Sequence, residues 1–203
     1  MTTKRRSPDY PHVTIESRAE WRGWLVAHHE DSSGIWLVTW KKQSGYPHVS
    51  ARDINEEALC FGWIDSRIGS LDDRRSALLL TPRKPKSNWS RVNKERVAQL
   101  TASGLMQPAG LAAVAVAKTN GAWTALDAVE ELVEPDDLRS SLDADQASRR
   151  HWDAFPRSTR RAILEWILSA KTQTTREVRV HRTVQDAADN IRANQWRQPR
   201  KTR

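Results

Sequence analysis

The sequence predicts an α+β fold, a small antiparallel sheet with packed helices followed by an all-helical C-terminal part. Three observations carry that expectation. Strand-type runs joined by short turns are confined to the region before Pro82, and beyond Gly121 only helical periodicity remains. The 203 residues include ten tryptophans, enough large apolar surface for a real core.

Residues 1–13 are polar, contain Pro8 and Pro11, and read as a loose arm. Ser17 is placed to cap a helix, with Glu20 three residues on and Trp21, Trp24, Leu25 and His28 at helical spacing. Asp31-Ser32-Ser33-Gly34 breaks it, and Ile35 to Trp40 is a β-favouring run that ends at the turn signal 41–45. Ser50 to Asp53 starts a second helix, with Ile54, Ala58 and Phe61 as its buried stripe and Gly62 at its end. Trp63 to Leu71 and Ser76 to Thr81 form a hairpin about Asp72-Asp73-Arg74, and Ala77 to Leu80 is apolar enough for a strand covered on both faces. Antiparallel pairing is favoured, because two of the connections are too short for a parallel crossover.

A helix is expected from Ser87 to about Ser103, closed by Gly104, and another from Pro108 to Gly121. Residues 135–142, 156–170 and 174–193 then read as helices, the last with Val180, Val184, Ala187 and Ile191 on one face. The expected organisation is a 1–13 arm, an α+β domain over 14–121, a helical part over 122–195 and a basic tail over 196–203.

The net charge of +8 is unevenly spread. Residues 1–138 carry 18 basic and 18 acidic side chains, whereas residues 139–203 carry 15 and 7. Arg83, Lys84, Lys86, Arg91, Lys94 and Arg96 form a basic run broken by Glu95, while Asp127, Glu130, Glu131, Glu134, Asp136 and Asp137 form an acidic one. Such asymmetry points either to an acidic partner or to opposite surfaces matched within the chain. Cys60 is the single cysteine, so neither an intramolecular disulfide nor a Cys-rich metal site is expected. The absence of an apolar leader or of a bilayer-length apolar run suggests a cytoplasmic protein.

The candidate site gathers Trp63, Asp65, Arg67, Lys84, Lys86, Ser87 and Trp89. Pairing the two strands of the hairpin returns the end of the second beside Trp63 to Asp65. A helix starting at Ser87 would add free backbone N–H groups to the charges of Lys84 and Lys86, which suits a phosphate or carboxylate. Trp63 or Trp89 would supply a stacking surface. Cys60 lies between Leu59 and Phe61 and reads as a buried thiol, and His28-His29 are adjacent and cannot chelate as an i, i+4 pair. No metal, cofactor or catalytic set is expected.

Three stretches resemble the YdeI/OmpD-associated, or bacteriocin-protection, family: 59–66 (LCFGWIDS), 81–93 (TPRKPKSNWSRVN), and 155–161 (FPRSTRR) with 166–171 (WILSAK). The resemblance spans about residues 20–190, and the segment 134–189 resembles the part by which the family is defined. It implies an α+β fold with a helical tail and a link to tolerance of bacteriocins and to an outer-membrane porin, with no enzymatic activity to transfer.

The leading expectation is therefore a cytoplasmic stress or antimicrobial-tolerance protein that binds an anionic or aromatic small ligand without catalysis. One alternative is a nucleic-acid-associated protein using the basic C-terminal helices. The other is an enzyme that uses Asp65 as acid/base in the same cleft, with Arg67 orienting the substrate.

Overall fold

The computed structural model describes residues 9–196 and 198. Residues 1–8 and most of the basic tail lie outside the described residues. The contacts divide the chain into two compact units, with the division after Thr124.

The first unit is a four-stranded sheet with helices. It comprises β1 (His12–Thr14), α1 (Arg18–His28), β2 (Ile35–Trp40), α2 (Ala51–Cys60), β3 (Trp63–Ser70), β4 (Arg75–Pro82), α3 (Arg91–Ala102) and α4 (Pro108–Thr119). The strand order is β1-β2-β4-β3; β4 is antiparallel to both its neighbours, and β1 runs parallel to β2. The sheet is thus mixed. The strand β1 falls where the sequence reads as a loose arm, because three residues between prolines and a helix cap show no measurable alternation.

Local chemistry sets the element boundaries. Ser17, Ser50 and Ser90 are N-caps whose side chains accept from the backbone N–H of Glu20, Asp53 and Asn93. Gly62 takes φ +74° after α2 and turns the chain into β3. Gly110 lets α4 cross the end of α2, since a Cβ there would overlap the carbonyl oxygen of Cys60.

The core of this unit joins Trp21 and Leu25 of α1, Ile35 and Leu37 of β2, Ala58 to Cys60 of α2, Trp63, Leu80, Trp89, Leu100 and Val114. Beside it, Arg18 and Arg22 both donate to the buried Glu57 carboxylate at 2.6 Å, and Arg18 also reaches Asp53 and Glu56. Cys60 is buried, and burial followed by the nearby Glu57 charge pushes its thiol pKa up. A thiol so placed is a poor nucleophile.

The second unit is helical, with α5 (Asp127–Glu130), α6 (Asp136–Asp143), α7 (Gln146–Ala154), α8 (Arg157–Leu168) and α9 (Gln173–Ala188). Sequence periodicity misses α7, a short helix whose buried face is chiefly Ser148 and Trp152. Its core is built from Leu138, Leu142, Trp152, Phe155, Ile163, Ile167, Val180 and Ala187.

The acidic run is matched inside this unit. Glu134 accepts both Nη groups of Arg149 at 2.8 Å and the Trp152 indole N–H at 2.6 Å. Arg161 donates to Glu130, and Arg176 makes a bidentate pair with Asp137 at 2.7 and 2.8 Å. Arginines of the basic last third, Arg139 with Asp136 among them, are therefore engaged by the acidic segment. No helix among the described residues is long and apolar enough to cross a membrane.

Candidate functional site

The hairpin brings the expected segments together. Trp63 pairs with Pro82 and Ile64 with Thr81, and the Arg83 backbone N–H donates to Gly62 at 2.8 Å. The chain then turns, with the Ser87 N–H donating to the Lys84 carbonyl at 2.9 Å. The Asn120 side chain holds the turn at the Pro85 carbonyl, at 2.8 Å.

The helix does not start at Ser87. It starts at Arg91, capped by Ser90. Both serines have capping chemistry, and the burial of Trp89 decides between them: the chain stays non-helical through Asn88 and Ser90 while Trp89 enters the core. Ser87 is a turn residue and offers no helix N-terminus.

Neither expected stacking residue presents a free ring. Trp63 is 1% exposed, packs edge-on to Trp24, and donates its indole N–H to the His29 carbonyl at 3.2 Å. Trp89 is also 1% exposed, with Trp123 at 5.0 Å between centroids. Arg67 turns to the Trp36 ring, 5.6 Å from its centroid. Asp65 is half-buried on β3, at the bulge where the register with β4 shifts. Lys84 and Lys86 are exposed on the turn.

The residue that organises this region is Arg83. Its guanidinium carbon lies 3.7 Å from the Trp89 ring centroid, and Nη2 donates to the Asn88 carbonyl at 2.6 Å. Nε and Nη1 are buried and have no hydrogen-bond partner. Burial pulls the Arg83 pKa down to about 10, against the weaker opposing pull of the Asp65 charge. An arginine normally keeps its charge by pairing when it is taken out of water.

Around Arg83 the aromatic and basic groups continue as a ladder. Trp123 lies against Trp89, and the ammonium groups of Lys94 and Lys118 sit 5.9 and 5.3 Å from the Trp123 centroid. Trp123 is partly exposed, so it, not Trp63 or Trp89, is the ring with an accessible surface. Sequence reasoning places Arg83 in the basic run but not in the site, and it leaves out Trp123 altogether. A lone Trp after a helix-ending Asn-Gly carries no signal of its neighbours.

Chemically, the arrangement offers unsatisfied guanidinium donors, further cations and an indole face, with Asp65 as the one nearby acid acting on Arg83. It suits a planar or tetrahedral oxyanion. It holds no nucleophile with an adjacent base.

Comparison with known families follows the division of the chain. Residues 131–190 match the family model described as Bacteriocin-protection, YdeI or OmpD-Associated. The second unit carries a YdeI/OmpD-associated domain. Its boundaries take in the Glu134–Arg149, Asp137–Arg176 and Trp152 contacts, so the ion pairs that bind the acidic run belong to the YdeI/OmpD-associated segment. Residues 13–113 match a second model, a domain of unknown function (DUF8412). That match contains Arg83, Trp89 and Lys94 and ends before Lys118 and Trp123. No curated protein and no solved structure matches the chain.

Proposed function

We propose that this protein is a non-enzymatic binding protein for a small anionic ligand carrying a phosphate or carboxylate group, working in the cytoplasm in stress or antimicrobial tolerance. The observation that carries the reading is the buried Arg83 guanidinium with two unpartnered nitrogens. Leaving donors of a buried charge unsatisfied costs several kcal/mol, on the order of the penalty for breaking a buried ion pair, unless a ligand supplies the missing acceptors. The fork geometry of the guanidinium fits two oxygens of one anion.

In this reading Arg83 is the anchor, Lys84 and Lys86 raise the local anion concentration, and Asp65 keeps Arg83 charged. Trp123 offers its indole to any planar part of the ligand. Because Nε and Nη1 are buried, the Lys84–Asn88 turn has to shift as the anion enters. The tolerance link rests on the family description of the second unit. Asp65 serves as a counter-charge here, which leaves it no acid/base task.

The test is thermal unfolding of the full chain with phosphate, pyrophosphate, ATP and citrate. A ligand at about 100 times its dissociation constant adds about 2.7 kcal/mol, a rise of several degrees. At least one of these anions is expected to give that rise in the wild-type chain and none in Arg83→Met. Equal shifts in both proteins would remove Arg83 from the site.

A further inference from the structure

The outer face of the sheet departs from what a solvated face needs. In β2, Ile35 and Leu37 belong to the core, as does Leu80 of β4, so Trp36, Val38 and Trp40 point the other way. Cross-strand register aligns His12, Trp36, Leu79 and Arg67 in one row over all four strands. The next row is Thr14, Val38, Ala77 and Gly69, and a third pairs Trp40 with Arg75. An open antiparallel face normally alternates to polar residues. Here the outward positions are largely aromatic, aliphatic or small.

The rings lie across the strands. Atom Cζ3 of Trp36 is 3.7 Å from where a Cβ of Gly69 would sit, two strands away, so the indole spans β4. Val38 is 1% exposed and Ala77 and Leu79 each 5%, although none belongs to either core cluster. The His12 ring lies within 16° of the Trp36 plane, and Tyr46 stacks on Trp40 at 4.2 Å while remaining 47% exposed. Trp40 is fixed by its indole N–H bond to Glu16.

Guanidinium groups stand at both rings, Arg67 at 5.6 Å from Trp36 and Arg75 at 5.7 Å from Trp40. Lys41 and Arg74 lie at the same edge, where the Lys41 ammonium donates to the Asp72 carbonyl and the Arg74 carbonyl accepts from the Lys41 N–H. Of the acids beside these groups, Asp72 is taken up by Arg75 and by the turn's own N–H groups, and Glu16 accepts the Trp40 indole N–H. Trp36 and Trp40 start about 13 Å apart along one strand, room for successive bases.

We propose that this sheet face binds single-stranded nucleic acid, the bases stacking on the His12–Trp36 and Trp40–Tyr46 rings and the phosphates meeting Arg67, Arg74, Arg75 and Lys41. Stacking platforms rimmed by cations take single strands without base-specific contacts. A duplex, whose bases are hidden, has only the cations to meet. The face is separate from the Arg83 region and stands or falls independently of it.

The experiment is fluorescence anisotropy of the full chain with a labelled oligothymidylate of about twelve nucleotides, against a duplex of equal length, over a range of salt. The expected results are tighter binding of the single strand, affinity falling as salt rises, and about tenfold loss in Tyr46→Ala or Trp36→Ala. Tyr46 and Arg67 are exposed, so Tyr46→Ala and Arg67→Ala keep the test valid if Trp36→Ala unfolds. Arg67→Ala should lower the salt slope by about one. No binding at low salt overturns the proposal. So does equal binding of single strand and duplex with Tyr46→Ala and Arg67→Ala unaffected, which would move the contact to the C-terminal arginines.

Discussion

The guanidinium carbon of Arg83 lies over Trp89, 3.7 Å from the ring centroid, with Nε and Nη1 buried and unbonded. Among the described residues Arg160 also buries an Nε with no hydrogen-bond partner, while other arginines, less deeply buried than Arg83, are paired. Arg149 has Glu134 and Asp153, Arg161 has Glu130 and Glu165, and Arg18 has three carboxylates. Two buried nitrogens without acceptors make Arg83 a group maintained at a cost to folding.

Arg83→Met should therefore fold more stably than wild type by about 1 kcal/mol, the relief of burying a charge less the lost ring contact. Denaturant unfolding without added anions measures it. A large loss of stability would show the guanidinium to be a structural prop.

The same comparison has a pH signature. Arg83 has a pKa of about 10 in the folded chain, well below the ordinary arginine value. Between those limits the unfolded chain holds more protons, so this group's contribution to stability rises with pH. The gap between Arg83→Met and wild type should be full below about pH 10 and shrink above it. A gap independent of pH would contradict the assigned shift.

Lys84→Ala with Lys86→Ala removes two exposed charges and should leave stability within about 0.5 kcal/mol of wild type. Anion affinity should weaken less than in Arg83→Met, with a shallower dependence on salt. Calorimetric titration at two salt concentrations distinguishes these effects. Complete loss of binding would make the lysines the anchor.

Glu134 is held ionised chiefly by Arg149, with Trp152 adding a bond against the opposing effect of burial, and its pKa lies below the usual carboxylate value. A depressed carboxylate stabilises the fold above its unfolded pKa and loses that contribution as pH falls through the folded one. The second unit should thus lose stability below about pH 4.5, and Glu134→Gln should cost about 2 kcal/mol at pH 7 and abolish that part of the acid dependence. Acid titration followed by circular dichroism checks both.

Gly110→Ala tests the crossing of α4 over α2. The added methyl meets the Cys60 and Leu59 carbonyl groups, which belong to backbone and cannot step aside. A loss of about 3 kcal/mol is expected by thermal unfolding. A neutral effect would contradict the close approach.

Much of this fold is legible in the sequence because its signals are local. Ser17, Ser50 and Gly62 mark boundaries by their own capping or turn chemistry, and the 63–81 hairpin follows from alternation and a short turn. What escapes is set by distant partners. The choice of Ser90 over Ser87 depends on where Trp89 is buried, and β1 exists because β2 has a free edge beside it. The site was half legible for the same reason. The run 83–86 shows basic charge, but only packing tells Arg83, enclosed beside Trp89, from Lys84 and Lys86 in water. Trp123 enters through the fold of α4 alone. The charge pattern left open an acidic partner or an internal match, and Glu134–Arg149 and Asp137–Arg176 pair the acidic run with arginines of the basic last third.

An arginine side-chain NMR titration observes the unbonded nitrogens of Arg83 directly. With the Arg83 Nε signal assigned by its loss in Arg83→Lys, addition of pyrophosphate or citrate should move it saturably, ahead of the Arg149 and Arg161 signals. An Arg83 Nε signal that stays fixed while phosphate, pyrophosphate and citrate are raised to saturating levels would contradict the account.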